Sequence, residues 1–149
     1  MAAFLVLTSH TNSVSAQESA LGASLTSMHN PVSYFEIPVS DMDRAVAFYE
    51  AVFSITLERT VIDGHEMALF PYEEKSRGVS GALAMGESYV PSKAGPRIYF
   101  SVDSIDNTLS RAVASGGRIA YKKTRVGTFW VAEFEDSEGN QLALSSDAE

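Results

Sequence analysis

The chain carries one segment plan twice, 63 residues apart, and this repeat constrains the fold more than any other feature of the sequence. Residues Phe35–Asp43 read as a strand that runs into a capped helix, and residues Ile98–Asp106 repeat that order. After each cap, apolar or small residues recur three and four positions apart, which is the spacing of one buried helical face. Two copies of one unit predict a fold with approximate two-fold symmetry. The cavity between the copies is therefore the first place to look for function.

Turn signals divide each copy into the same five elements. Asp63-Gly64 predicts a hairpin turn in the first copy, and Gly116-Gly117 ends the helix of the second. Four strand patterns surround one helix in each copy: 32–39, 55–62, 65–71 and 79–85 around a helix at 42–53, then 97–102, 118–121, 128–135 and 141–145 around a helix at 105–115. Each copy is thus predicted to be a β-α-β-β-β unit. The predicted fold class is α+β, with the two tandem units forming a curved, partly open, barrel-like sheet of eight strands.

The length of the chain leaves room for one domain. A chain of 149 residues, 45% of them hydrophobic, can bury a sizeable core, but each repeat alone is too short to cover its own sheet. We therefore expect a single domain at 31–146, with repeats at about 32–85 and 97–146. Residues 86–96, which contain two prolines and two glycines, are the predicted linker. Residues 1–30 have no usable periodicity and are predicted to be a loose N-terminal segment.

The charge of the chain limits its partners. A formal net charge of −8 argues against nucleic acid and against an anionic membrane surface, because phosphate binding needs clustered basic residues. The absence of cysteine excludes a disulfide framework and a thiolate nucleophile. The apolar run near the N-terminus is shorter than the roughly 20 residues of a membrane span. We expect a cytoplasmic protein; export is the alternative, because Val14-Ser15-Ala16 resembles a signal cleavage site, although no basic residue precedes the apolar run.

Two motifs stand at the ends of the paired units. Residues 39–49 follow the first strand and read Val-Ser-Asp-Met-Asp-Arg-Ala-Val-Ala-Phe-Tyr. Residues 134–142 lead into the last strand and read Phe-Glu-Asp-Ser-Glu-Gly-Asn-Gln-Leu. Both motifs resemble those of the vicinal oxygen chelate superfamily, which includes glyoxalase I, bleomycin-resistance proteins, fosfomycin-resistance enzymes and extradiol dioxygenases. The resemblance covers about residues 31–146 and implies the paired β-α-β-β-β fold. It does not select one activity, because the family uses one scaffold for several.

The resemblance also implies where a metal ion would bind in a metalloenzyme of the family, at one side chain from the first and one from the last strand of each unit. In this chain those positions are Tyr34, Ala82 (or Gly81), Arg97 and Ala143. A guanidinium has no acceptor and alanine offers no lone pair. We therefore predict no metal-binding residues and no cofactor. A divalent metal held by an atypical ligand set is the alternative.

Five residues are candidates for a site. Glu36 lies two residues after Tyr34, on the same strand face, and is the candidate catalytic group; a partly solvated carboxylate is the alternative. Arg97, if it faces the cavity, needs an anion, either Glu36 or the carboxylate or phosphate of a ligand; a head group in water is the alternative. Tyr34, Tyr99 and Trp130 could line an aromatic pocket, although aromatic residues on strands also serve as ordinary core.

Three functions remain open on the sequence. The first is a metal-free binding protein of the bleomycin-resistance type that takes a small molecule between its repeats. The second is a glyoxalase-like lyase or isomerase that uses a divalent metal, with Glu36 as a contributor. The third is an interaction module with a vestigial cavity. The resemblance implies a homodimer in each case.

Overall fold

The computed structural model describes residues 30–148, and the account below concerns residues 34–148. The predictions for residues 1–30, including the signal-like cleavage site, lie outside the described residues except for residue 30. The elements run in the order β1 (Phe35–Val39), α1 (Met42–Phe53), β2 (Glu58–Ile62), β3 (His65–Leu69), β4 (Gly81–Met85), β5 (Tyr99–Ser101), α2 (Ile105–Ala114), β6 (Arg118–Val126), β7 (Phe129–Glu135) and β8 (Gln141–Ser146). In the described part, no helix is long and apolar enough to cross a bilayer.

The strands confirm the α+β fold class and the two β-α-β-β-β units. Hydrogen bonds divide the eight strands of residues 34–148 into two sheets of four, in the orders β1-β4-β3-β2 and β5-β8-β7-β6, and these strands do not close into a barrel. In each sheet the first and last strands of the unit pair in parallel, and the remaining pairs are antiparallel. β6 extends well past the predicted end at residue 121, because its pairing with β7 continues to Val126 through an irregular register near Tyr121.

The helices begin where the repeat predicts. Asp41 and Ser104 occupy equivalent positions, and each accepts a hydrogen bond from the backbone N–H three residues later. These caps satisfy donors that the first helical turn leaves free. Gly116 follows α2 with φ near +95°, a left-handed conformation that suits glycine, so the predicted end of that helix is also confirmed.

The two repeats share one hydrophobic core. α1 packs on β3 and β4, α2 packs on β6, β7 and β8, and the helices contact each other. Aromatic rings join the repeats directly: Phe48 of α1 stacks on Phe134 of β7 at 6.3 Å, and Phe53 meets Phe100 of β5 at 4.6 Å between ring centroids. The main core cluster therefore contains buried residues of both repeats.

A turn of the second repeat also holds the first repeat by polar contacts. Residues 136–140 form this turn, and Asn140 donates to the Pro38 carbonyl oxygen at 2.8 Å. The Tyr49 hydroxyl donates to the buried Asp136 carboxylate at 2.7 Å. Glu138 accepts hydrogen bonds from the backbone at the N-terminus of α1. The turn therefore fixes the position of α1 against the second sheet.

Candidate functional site

The predicted site residues lie on the sheet surfaces that the helices do not cover, which we call the helix-free face. In the first sheet, Phe35 and Ile37 pack into the core, so Glu36 between them lies on the helix-free face beside Ala82 of β4. In the second sheet, Tyr99, Ala143 and Glu133 lie side by side on three neighbouring strands. The strand alternation that places their neighbours in the core places these residues on the helix-free face.

The positions where metalloenzymes of the family carry ligands do not offer a metal site here. Ala82 and Ala143 are fully buried and have no donor atom. In the described residues, no three His, Asp or Glu side chains converge in a way that could hold a metal ion. The structure does place a carboxylate one strand away from each alanine, Glu36 beside Ala82 and Glu133 beside Ala143. The donor set present does not fit the family's metal centre.

Arg97 is held by the second repeat and by the linker before it. Its Nε donates to Glu133 Oε2 at 3.1 Å, and its Nη1 donates to the Lys93 and Gly95 carbonyl oxygens at 3.0 and 3.3 Å. The alternative in which Arg97 pairs with Glu36 is wrong, since no such ion pair forms and Glu133 takes that place. The small side chain of Ala143, on the strand between β5 and β7, leaves room for this contact. Glu133 has no sequence signal as a partner, because only the strand register brings it beside Arg97.

Glu36 belongs to a separate cluster. The Tyr89 hydroxyl donates to Glu36 Oε2 at 2.8 Å, and the hydrogen bond to this carboxylate raises the pKa of Tyr89. Burial, and then the charge of Glu36, raise the pKa of Tyr34. The His65 ring lies edge-on to Tyr89 at 5.4 Å between centroids. One oxygen of Glu36 therefore accepts a hydrogen bond from Tyr89, and the His65 ring packs against Tyr89.

The three aromatic candidates, Tyr34, Tyr99 and Trp130, do not all lie on the same side of the sheets. Tyr34 and Tyr99 are about half exposed, at 47% and 52%. Trp130 instead packs against the core, because it alternates with Glu133 along β7, and the Lys123 ammonium lies 5.1 Å from the centre of its ring. The structure thus brings Tyr99 onto the same face as Arg97 and leaves Trp130 on the other.

A cleft of about 780 Å³ does lie between the repeats, and the predicted residues other than Tyr99 do not line it. Its walls are the end of α1, the loop before β4, strand β5 and the first turns of α2. Phe53 and Phe100 come from different repeats and meet at its floor. Apart from Tyr99, sequence reasoning named none of the residues that line this cleft as site candidates, because its aromatic residues carry an ordinary core pattern.

Taken together, the sheet orders, the parallel pairing of first and last strands and the shared core define a protein of two paired β-α-β-β-β units. The model of the Glyoxalase/Bleomycin resistance protein/Dioxygenase superfamily matches residues 32–144, and the chain belongs to this family. A glyoxylase-like domain-containing protein from Didymella fabae is 26% identical over 122 residues, which are 78% of this chain and 94% of that protein.

Solved structures of the family share the fold. A hypothetical protein from S. aureus superposes with a TM-score of 0.62 at 15% identity, over 83% of this chain and 98% of the other. An antibiotic-binding protein from a Streptomyces species gives 0.59 at 19% identity, over 80% and 97%. A glyoxalase I variant from Zea mays gives 0.62 at 17% identity, with 78% of this chain aligned to 46% of the larger protein.

Proposed function

We propose that this protein binds a small molecule on the helix-free face without a metal ion, in the manner of the binding proteins of its family. The observation that carries the proposal is Arg97, a partly exposed cation that Glu133 and two carbonyl oxygens hold in place. Two of its three nitrogens are occupied, and Nη2 donates to no residue of the range 30–148. A guanidinium held in this way can donate to a ligand anion without losing further side-chain freedom.

Tyr99 supplies exposed aromatic surface on the strand that follows Arg97, and exposed Tyr34 lies near Glu36. Tyrosine offers a large apolar ring and one hydroxyl, a combination that is common in binding surfaces. The helix-free face of the second sheet also carries exposed Tyr121 and Phe129. We propose that a second copy of the chain covers part of this aromatic surface, so that the protein is a homodimer.

A second candidate function is a glyoxalase-like lyase or isomerase. It is favoured by the Glu36–Tyr89 pair, because a carboxylate beside a tyrosine hydroxyl can accept a proton from a substrate. Such a reaction would use no metal ion, because the side chains at the expected ligand positions do not fit a metal site. In this case Glu36→Gln should abolish turnover while leaving binding nearly intact.

Calorimetric titration with phenyl phosphate and with neutral benzyl alcohol tests the binding proposal. Arg97→Met keeps the apolar stem and removes the charge, and it should weaken phenyl phosphate binding by about 2 kcal/mol without affecting benzyl alcohol. Arg125→Met is the matched control, because Arg125 is exposed and forms no ion pair with any residue of the described range. Equal phenyl phosphate affinity in wild type and Arg97→Met would refute the role of Arg97.

Elemental analysis of the protein, purified without chelator, tests the metal-free part of the proposal. We expect far less than one equivalent of Ni, Zn, Fe or Mn per chain, because alanine and arginine occupy expected ligand positions. A content near one metal per chain, with isomerase activity that EDTA removes, would overturn both the metal-free binding proposal and the metal-independent enzyme.

A further inference from the structure

The cleft between the repeats has the dimensions of a ligand site of its own. Most of its lining lies on the side of the sheets that carries the helices, and Tyr99 and Ser101 border it at the edge strand β5. Glu36 and Arg97 lie on the helix-free face and do not line it. Its volume of about 780 Å³ falls in the range of about 300–1,000 Å³ that small-molecule sites occupy. Both repeats contribute walls, so the cleft is a product of their packing and not of one unit.

The approximate two-fold symmetry explains why this cleft is open. In the symmetry-related place, the turn at 136–140 fills the space in front of α1, and Glu138 bonds to Ser40 and Arg44. The loop at 71–80 of the first repeat corresponds to this turn. Residues 103–107 of the second repeat correspond to residues 40–44, which the turn contacts. Ser80, the residue of that loop nearest β4, directs its hydroxyl to the Phe70 and Pro71 carbonyl oxygens of its own repeat. The space in front of α2 therefore stays open, whereas the equivalent space in front of α1 holds the Glu138 carboxylate.

The floor of the cleft is aromatic. The rings of Phe35, Phe70 and Phe100 lie within 6 Å of one another, with centroid distances of 5.7, 5.9 and 5.7 Å. Phe53 adds a fourth ring at 4.6 Å from Phe100. Phe35, Phe53 and Phe100 are only partly buried. An aromatic group inserted into the cleft would remove this apolar surface from water and find edge and face contacts with several rings.

The rim of the cleft is positively charged. Arg77 and Arg111 are its basic residues and Asp103 is its acid, in a chain whose net charge is −8. Arg111 is partly buried, and it is held by the Val52 carbonyl oxygen at 2.7 Å and the Thr108 hydroxyl at 3.2 Å. Within residues 30–148, no carboxylate lies within 4.0 Å of either guanidinium. A partly buried guanidinium without a carboxylate is complementary to an anionic ligand.

We propose that the cleft is a second binding site, which takes a small aromatic carboxylic acid. The aromatic ring lies against the phenylalanine floor, and the carboxylate accepts hydrogen bonds from Arg111, with Arg77 of the exposed loop adding charge at the opening. The size, the apolar floor and the local excess of positive charge all select this class of molecule over a neutral polar one. Tyr99 and Ser101 border the cleft from β5.

The test compares 2-naphthoate with its neutral isostere 2-naphthamide by calorimetry on the full chain. In wild type, naphthoate should bind about tenfold more tightly than naphthamide, as one charge-assisted hydrogen bond provides. Arg111→Gln should bring the two affinities together. Because Arg111 also holds Val52 and Thr108, Arg77→Gln is the second variant: Arg77 is exposed and forms none of the described ion pairs, so its loss should reduce the preference without affecting folding.

Filling the cleft is the independent test. Asn107→Trp places a large ring in the cleft from α2 and should abolish binding of both compounds, whereas Val113→Trp, on an exposed part of the same helix, should leave both unchanged. Equal binding of naphthoate and naphthamide in wild type would overturn the choice of a carboxylate. Unchanged binding of naphthoate in Asn107→Trp would overturn the site. If that variant also shows a changed sedimentation coefficient, the cleft would instead be an interface between copies of the chain. Naphthoate binding that remains in Arg97→Met and is abolished when Asn107→Trp is added belongs to the cleft, so this site and the helix-free face can fail separately.

Discussion

Glu138 provides the sharpest test of how the second repeat holds the first. Its side chain is fully buried and accepts hydrogen bonds from the backbone N–H groups of Ser40 and Asp41 at 3.0 and 3.1 Å. The Arg44 guanidinium donates to both carboxylate oxygens at 2.8 Å. The carboxylate therefore supplies a negative charge at the positive end of α1 from almost a hundred residues away in the chain.

The magnitude follows from the ionisation of this carboxyl group. Burial raises the pKa of Glu138, but the hydrogen bonds from Arg44 and Ser40 outweigh it and lower the pKa from 4.5 to about 2. A difference of this size corresponds to about 3 kcal/mol of folding free energy. Half of the Arg44 side chain is exposed, so solvent screening reduces this amount, and we expect Glu138→Gln to lose about 2 kcal/mol at pH 7.

The pH dependence has a definite sign. Because the pKa of the folded state is the lower one, the stabilisation is fully present above pH 4.5 and is lost as the pH falls towards 2. The difference in unfolding free energy between wild type and Glu138→Gln should therefore shrink to about 1 kcal/mol at pH 3. Urea unfolding at several pH values measures it, provided that the m-value is unchanged. Glu74→Gln, in the exposed loop before β4, is the control and should change little. A difference that is small at pH 7, or the same at pH 7 and pH 3, would refute this account.

Two further substitutions test the core. Tyr49→Phe should cost about 1–3 kcal/mol in urea unfolding, because buried Asp136 loses one donor, and Tyr72→Phe on the surface should cost nothing. Burial and the nearby Asp136 carboxylate raise the pKa of Tyr49 well above 10.0. The unfolding free energy of wild type should therefore fall more steeply above pH 10 than that of Tyr49→Phe. Parallel plots of unfolding free energy against pH would contradict this. Gly81→Ala should destabilise the fold by about 2 kcal/mol or more, because the added methyl group would collide with the backbone oxygen of Phe35, whereas Gly95→Ala meets open space.

The residues of the candidate site divide into those that local pattern could predict and those that it could not. The face of Glu36 follows from the alternation of β1, which places it on the helix-free face. The partner of Arg97 does not follow, because Glu133 lies 36 residues away and becomes its neighbour only through the β5-β8-β7 strand order. Trp130 was a candidate for the pocket, and the alternation of β7 places it against the core instead.

Some features depend only on short stretches of backbone: the repeat of 63 residues, the helix caps at Asp41 and Ser104, the turn at Asp63-Gly64 and the family motifs. Helical and strand periodicity and capping act within a few residues, so these features can be predicted along the chain. Long-range packing, in contrast, divides the eight strands into two sheets, brings Glu133 to Arg97 and opens the cleft between the repeats. These features arise where two repeats with nearly the same backbone plan pack together. The loop at 71–80 and the turn at 136–140 fill equivalent spaces differently, and this difference in packing has no local signature in the sequence.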